Sequence, residues 1–496
     1  MTVPAMRRGS LAALLLAGTA GGAAFAQGMG GLGPVAQAVN QTLTQEADLG
    51  QSLTATISEQ VTADSNYQLD DPSPGTSTYA DTRLILGYAN NTPTQTFALG
   101  VNTGLRALWE AGQSFDWVLA SPTGARAAYT NEWSDGLFDA SLNYRQRQAN
   151  TVLDVPVDTD NDGVVDNLDQ LTGNDREMRY DANLGVVWGT STPSSYGLRL
   201  LATKFDYSDQ SDNQVPRTTV EGLGNWNLQL NPVWSSQVLV DLLNYQADNP
   251  TDTELDFAEV TAGAIYQPSE NFQLNAGVGW AKRKRYDTIA GDRETTQNNT
   301  GPSVRGGFSY VTDDLTFLGN ANYTTAAPDP QLSGTIRAVY ALPNGRLAGR
   351  LFQNYTGTDT GGQEARVTGV GIGWLHNINE VSSFGLDFAW AVQEDVDDTL
   401  NNPTQPDIHR ANVTATYSHS ITNSVSADIG YRFRQRVEDP QDDVSHAVFI
   451  ALAKTFETTP RAGRPAPGRR GRPASALRPT LRASSRKSQA FDSYGA

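Results

Sequence analysis

The feature that most constrains this chain is a two-residue alternation of apolar and polar side chains that recurs along most of its length. In residues 96–109, Phe97, Leu99, Val101, Leu105, Ala107 and Trp109 share one parity, while Thr96, Ala98, Gly100, Asn102, Gly104 and Arg106 share the other. Successive side chains of a strand point to opposite faces, so such a segment has one apolar and one polar face. The pattern returns in Phe272, Leu274, Ala276, Val278 and Trp280 against Gln273, Asn275, Gly277 and Gly279. It returns again in Phe384, Leu386, Phe388, Trp390 and Val392, and in Val425, Ala427, Ile429, Tyr431 and Phe433.

Two architectures use strands of this kind. A soluble sandwich buries the apolar face; a membrane barrel turns it to lipid and lines a wet lumen with the polar one. Three features favour the barrel. The segments repeat without a domain break, aromatics (Trp109, Phe272, Trp280, Trp374, Phe384, Trp390, Tyr417) sit at the ends of the apolar faces, and the polar parity is rich in glycine and carries arginine. Turn-sized links such as Ser134-Asp135-Gly136, Pro343-Asn344-Gly345 and Ile421-Thr422-Asn423 alternate with longer, mostly acidic ones at 64–78, 110–123, 149–176, 208–217, 246–256, 286–300, 324–331, 356–364, 394–407 and 437–444. That is the loop asymmetry of outer-membrane barrels. The predicted fold is all-β, a transmembrane antiparallel up-and-down β-barrel of about 20 strands, with 18 also within the boundary error. The last strand reads Ser445 to Phe456, and residues 47–456 make up the barrel.

The ends differ from this body. Arg7 and Arg8, an apolar run from Leu11 to about Ala24, and Ala24-Phe25-Ala26-Gln27 form the pattern of a secretory signal peptide over residues 1–26. Residues 27–46 are glycine- and glutamine-rich and too short for a plug domain, so a barrel this wide is expected to hold water. The tail 457–496 turns abruptly to Arg, Pro, Ala and Ser, a core-less composition expected to be disordered. The chain has no cysteine, so no disulfide scaffold supports it. Its net charge is -18 although the tail is basic, which excludes electrostatic nucleic-acid binding by the body.

On these grounds the chain resembles porin-like outer-membrane β-barrel proteins of Gram-negative bacteria. The resemblance implies export to the outer membrane, contact with its lipid and lipopolysaccharide, and insertion by the barrel-assembly machinery. That machinery reads a terminal aromatic, here Phe456, although this chain continues past it. Whether the barrel is a monomer or a homo-oligomer stays open.

Two groups of residues carry chemistry. The first is the motif from Asp158 to Asp169, with carboxylates at Asp158, Asp160, Asp162, Asp166 and Asp169 and a glycine at Gly163. Carboxylates at alternate positions before a glycine let a loop curl around one Ca²⁺. The motif resembles the calcium loop of thrombospondin type 3 repeats and the first half of an EF-hand loop. The resemblance implies these five aspartates as side-chain ligands and Val164 as a backbone carbonyl donor, in a structural role.

The second group is charged residues on the polar parity: Arg83, Arg106, Arg145, Arg199, Arg305, Arg337, Arg350, Arg410, Arg432, Asp139, Asp387 and Asp428, joined by Arg179, Arg434, Asp181 and Glu259. Rings of charge in a lumen set ion preference. They imply a pore lining that passes small polar or anionic solutes by passive diffusion, or a salt-bridge network that braces the interior. A third reading is a surface or structural protein using acidic, cation-binding loops for adhesion or envelope integrity. The four histidines (His376, His409, His419 and His446) lie in scattered segments without a nucleophile motif, so no enzyme is expected. The loop 110–123, with Phe115, Trp117 and Val118, is a candidate either to constrict the pore or to cap it.

Overall fold

A computed structural model describes residues 50–458 apart from 70–71, 121, 149–175, 209–214, 249–251, 290–291, 328–329, 358–363, 396–406 and 439–440. The signal-like segment, residues 27–46, the acidic motif 158–169 and the tail from 459 onward lie outside the described residues. Among the described residues every element is a strand. They are β1 (Gly50–Asp64), β2 (Ser77–Asn91), β3 (Gln95–Trp109), β4 (Asp116–Leu119), β5 (Thr123–Trp133), β6 (Gly136–Gln148) and β7 (Arg176–Trp188). There follow β8 (Ser194–Tyr207), β9 (Arg217–Gln229), β10 (Trp234–Ala247), β11 (Thr253–Ser269), β12 (Phe272–Ile289), β13 (Asp292–Val311) and β14 (Leu315–Thr324). The last are β15 (Gln331–Leu342), β16 (Gly345–Gly357), β17 (Glu364–Asn379), β18 (Ser382–Asp395), β19 (Ile408–Thr422), β20 (Val425–Glu438) and β21 (Gln441–Thr458).

Each strand pairs antiparallel with its neighbours in the sequence, and β1 pairs with β21 from Leu53↔Thr458 to Asp64↔Ala447, which closes the ring. The short β4 is not a separate stave. Both β4 and β5 pair with β3, with Leu105 opposite Leu119 and Asn102 opposite Gly124. They are one strand interrupted by a two-residue irregularity, and the ring is a closed antiparallel barrel of 20 strands. Closure leaves no unpaired edge, which an apolar outer surface requires.

The alternation sorts the side chains as its period demands. Leu84, Leu86, Leu142, Leu184, Leu198, Leu200, Val260, Leu351, Ile429 and Ile450 stand exposed on the outer face. Aromatics frame this apolar surface, and beside several short turns they touch in pairs across neighbouring strands: Trp188–Tyr196 at 5.6 Å, Trp234–Tyr266 at 4.7 Å and Trp374–Phe384 at 5.8 Å between ring centroids. On β7, Trp188 and Tyr180 mark the two rims. The eight residue steps between them rise about 27 Å along the strand, or about 20 Å along the barrel axis at a tilt near 40°.

Three expected links turn out differently. Residues 110–123 do not fold into the lumen. β4 continues the wall, and Trp117, at 61% exposure, joins Phe115 and Trp109 in an outward aromatic cluster with centroid distances of 5.5 and 4.9 Å. The 286–300 link is mostly strand, because β12 and β13 extend toward each other to Ile289 and Asp292 around one irregularity at Arg285/Tyr286. The 437–444 link is likewise taken up by β20 and β21, so the last strand begins at Gln441 rather than Ser445. In both hairpins the extension is mostly polar, and strand beyond the apolar band needs no apolar parity.

Turn chemistry fixes the short links. Gly345, after Pro343-Asn344, adopts φ +153°, and a Cβ there would lie 1.9 Å from the Leu375 carbonyl oxygen on β17. Gly345→Ala is therefore expected to lower the unfolding free energy by about 1–3 kcal/mol. Urea titration of the refolded protein measures this shift.

Candidate functional site

The twelve charged positions singled out in the sequence all occupy the parity opposite the exposed apolar side chains, on the inner face of the ring. They do not form one site. Three groups lie on different arcs of the wall.

The first group lies at the end of the barrel that carries the longer links. Arg106 on β3 donates through Nε and Nη2 to the two carboxylate oxygens of Asp81 on β2, at 2.6 and 2.7 Å. Its Nη1 donates to the Tyr67 hydroxyl at 2.7 Å, and its guanidinium lies 4.1 Å from the Tyr79 ring centroid. Arg83 reaches the same Asp81 at 3.5 Å. On the other side, Arg434 donates to Asp64 at 2.7 Å and to the Tyr67 carbonyl at 3.3 Å, and Arg432 donates to the Tyr79 hydroxyl at 3.0 Å. Tyr67 belongs to the link after β1, and burial pushes its phenol up to about 12 against the opposing pull of Arg106. The sequence reading placed Tyr67 in one of the longer, mostly acidic links, at 64–78. The contacts that draw it inward come from strands distant in sequence.

The second group lines β6 to β13. Arg305 on β13 donates to Glu259 on β11 at 2.5 and 3.0 Å and reaches across to Asp241 on β10 at 2.7 Å. Asp139 accepts from Asn183 at 3.1 Å and lies 3.9 Å from Arg199. Nearby, Arg147 and Glu177 form a two-bonded pair at 2.6 and 2.5 Å, and Arg179 donates to Asp181 at 2.8 Å. Of these partners, Asp241, Arg147 and Glu177 were not singled out from the sequence. Nothing local marks Asp241, whose arginine lies three strands away.

In the third group arginines oppose one another. Arg337 on β15 stands directly opposite Arg350 on β16, and Arg410 on β19 opposite Arg436 on β20. Arg145 on β6 and Arg179 on β7, within the second arc, stand in the same relation, and Arg179 there is ion-paired with Asp181. Arg350 lies 5.2 Å from the Phe352 ring centroid, beside a small buried apolar cluster of Phe352, Val367, Ala389 and Ala391. Asp387 and Asp428 share this side of the ring, on β18 and β20. Directly opposed like charges destabilise a sheet unless a counter-charge lies close, and Arg436 has Glu438 beside it.

On the outer face, near the short turns, Ser382 and His419 meet at 2.9 Å between Oγ and Nδ1, and Tyr417 donates to the same Ser382 oxygen at 3.2 Å. The sequence reading found no nucleophile motif around the histidines, and Ser382 and His419 are joined only by the register of β18 and β19. The trio ties polar atoms together at the rim of the apolar band.

No protein-family model matches the chain, and no curated protein matches it in sequence. Among solved structures it is similar to the FrpB iron transporter from Neisseria meningitidis, with a TM-score of 0.46 at 10% identity over 84% of this chain and 83% of that one. It is also similar to the ferric citrate transporter FecA in its unliganded form, with a TM-score of 0.46 at 12% identity over 83% of this chain and 80% of that one. The copper transporter OprC gives a TM-score of 0.43 at 11% identity, over 83% and 81%.

Proposed function

We propose that this chain is an outer-membrane channel through which small polar solutes, anions foremost, diffuse passively. The observation that carries the reading is the pairing of arginine against arginine on the inner face, Arg337 with Arg350 and Arg410 with Arg436. Each such pair adds two positive charges to the inner face, and a positive lining favours anions in the lumen. The apolar outer face with its aromatic rims supports a membrane setting, and the signal-like N-terminus supports export. A ring of this size lies between the roughly 16–18 strands of water-filled porins and the roughly 22 of plugged transporters.

The test is planar-bilayer recording with the refolded full chain. Steady current with a reversal potential favouring anions is expected. Replacing both Arg337 and Arg350 by serine should move that potential toward cations. Folded protein that passes no current removes the channel reading.

We further propose that the loop from Asp158 to Asp169 binds one structural Ca²⁺ through Asp158, Asp160, Asp162, Asp166, Asp169 and the Val164 carbonyl. Extracellular modules of this chemistry bind at around 10⁻⁴–10⁻³ M. Calorimetric titration should show one such site in the full chain and none after deletion of residues 150–175. Unchanged uptake in the deletion variant rejects the assignment.

A further inference from the structure

The link after β1 does not run outward. Ser65 first prolongs the seam: its amide donates to the His446 carbonyl at 2.9 Å, and the His446 amide donates back to its hydroxyl at 2.8 Å. The chain then turns inward, and Asn66, Tyr67 and Leu69 are each only 3% exposed. Leu69 adopts φ +56°, a left-handed conformation that a leucine holds only when its surroundings enforce it. The enforcing contacts come from two arcs at once. Arg106 on β3 grips the Tyr67 hydroxyl, the Tyr79 ring of β2 packs 5.3 Å from the Tyr67 ring, and Arg434 on β20 grips the Tyr67 carbonyl. Gln68 adds a bond from its amide to Glu110 just past β3. Going round the wall from β20 to β3 crosses β21, β1 and β2, four strand spacings or about 19 Å of circumference.

We propose that residues 65–69 form a strap against the inside of the barrel's mouth, and that Tyr67 on this strap, rather than the wall alone, sets the size of solute admitted. The inference rests on the channel reading and deepens it. It also reassigns three arginines. Arg106, Arg432 and Arg434 hold the strap and its Tyr79 support, so the discrimination of passing ions falls to the arginines deeper on the wall.

The strap is tested with full-length protein in planar bilayers and in sugar-loaded liposomes, comparing the natural chain with Tyr67→Ala and Arg106→Gln. Each variant is first checked for the folded, heat-modifiable band on gels. If either fails to fold, Tyr67→Phe, which keeps the ring and loses only the grip of Arg106, replaces it. Removal of the ring or of its grip should raise single-channel conductance roughly twofold and admit larger sugars, as widening a constriction does. A natural chain that conducts, with variants unchanged in conductance and size limit, overturns the strap and leaves the channel standing. A silent natural chain with a conducting Tyr67→Ala variant supports the strap as a full closure. Silence in both removes the channel and the strap's role with it.

Discussion

Arg305→Ala is expected to cost the folded barrel about 3–5 kcal/mol, because it leaves two carboxylates on the inner wall without their cation. Arg305 bonds Glu259 and Asp241 together, and all three side chains are largely shielded, at 13%, 1% and 10% exposure. The loss has two parts, the missing charge-assisted hydrogen bonds and the repulsion of two carboxylates drawn together by a guanidinium no longer there. The companion variant separates them. A triple replacement, Arg305→Met with Asp241→Asn and Glu259→Gln, should recover most of the stability, since neutral residues of similar volume often replace a buried ion set at little cost. Urea unfolding in lipid vesicles gives both numbers. An Arg305→Ala loss under about 0.5 kcal/mol, the range of an ordinary surface change, would mean that lumen water already screens the cluster.

Leu200→Arg is expected to cost about 2–4 kcal/mol in the same assay, the penalty for a cation facing hydrocarbon near the bilayer midplane. Leu200 lies midway along β8, 49% exposed, with Leu184 directly opposite on β7 at the same exposure. The control is Leu230→Arg, in the short turn between β9 and β10 and 63% exposed, where the penalty should fall to about 0–1 kcal/mol. Equal small losses at both sites would show that the outer face does not meet lipid, since exposed leucines of a water-soluble surface are indifferent to the change.

The two variants also divide what the sequence made legible from what it did not. Leu200 is readable because the apolar parity is a local property, and β8, β12, β18 and β20 announce their outer faces in the order of their own residues. Strand ends were legible only where that parity operates. Between Arg285 and Thr296 no apolar parity runs, since Tyr286 and Ile289 stand among charged and polar residues, so the outer part of the β12–β13 hairpin read as a loop. The inner charges were legible as a set and not as partners. Arg305 and Asp241 are 64 residues apart and meet across β11 and β12, a relation fixed by strand stagger rather than by spacing. Tyr67 was the least visible of all. It sits among polar residues in an acidic link, and what makes it structural is an arginine 39 positions downstream and another 367 downstream.

The clasp of Asp64, Arg434 and Ser445 bears on how the protein comes into being. Asp64 closes the first strand, and its partners arrive 370 and 381 residues later, on the last two. Loop-closure entropy opposes so distant a meeting until the intervening strands are in place, so these bonds form at the end of assembly. Until then Arg434 holds only Ser445 of its own hairpin, and Tyr67 is gripped from one side only. A nascent barrel thus keeps a gaping entrance while its seam is open, and narrows it by the same event that seals the wall. The entrance of a finished molecule is in that sense a record that its ring was completed.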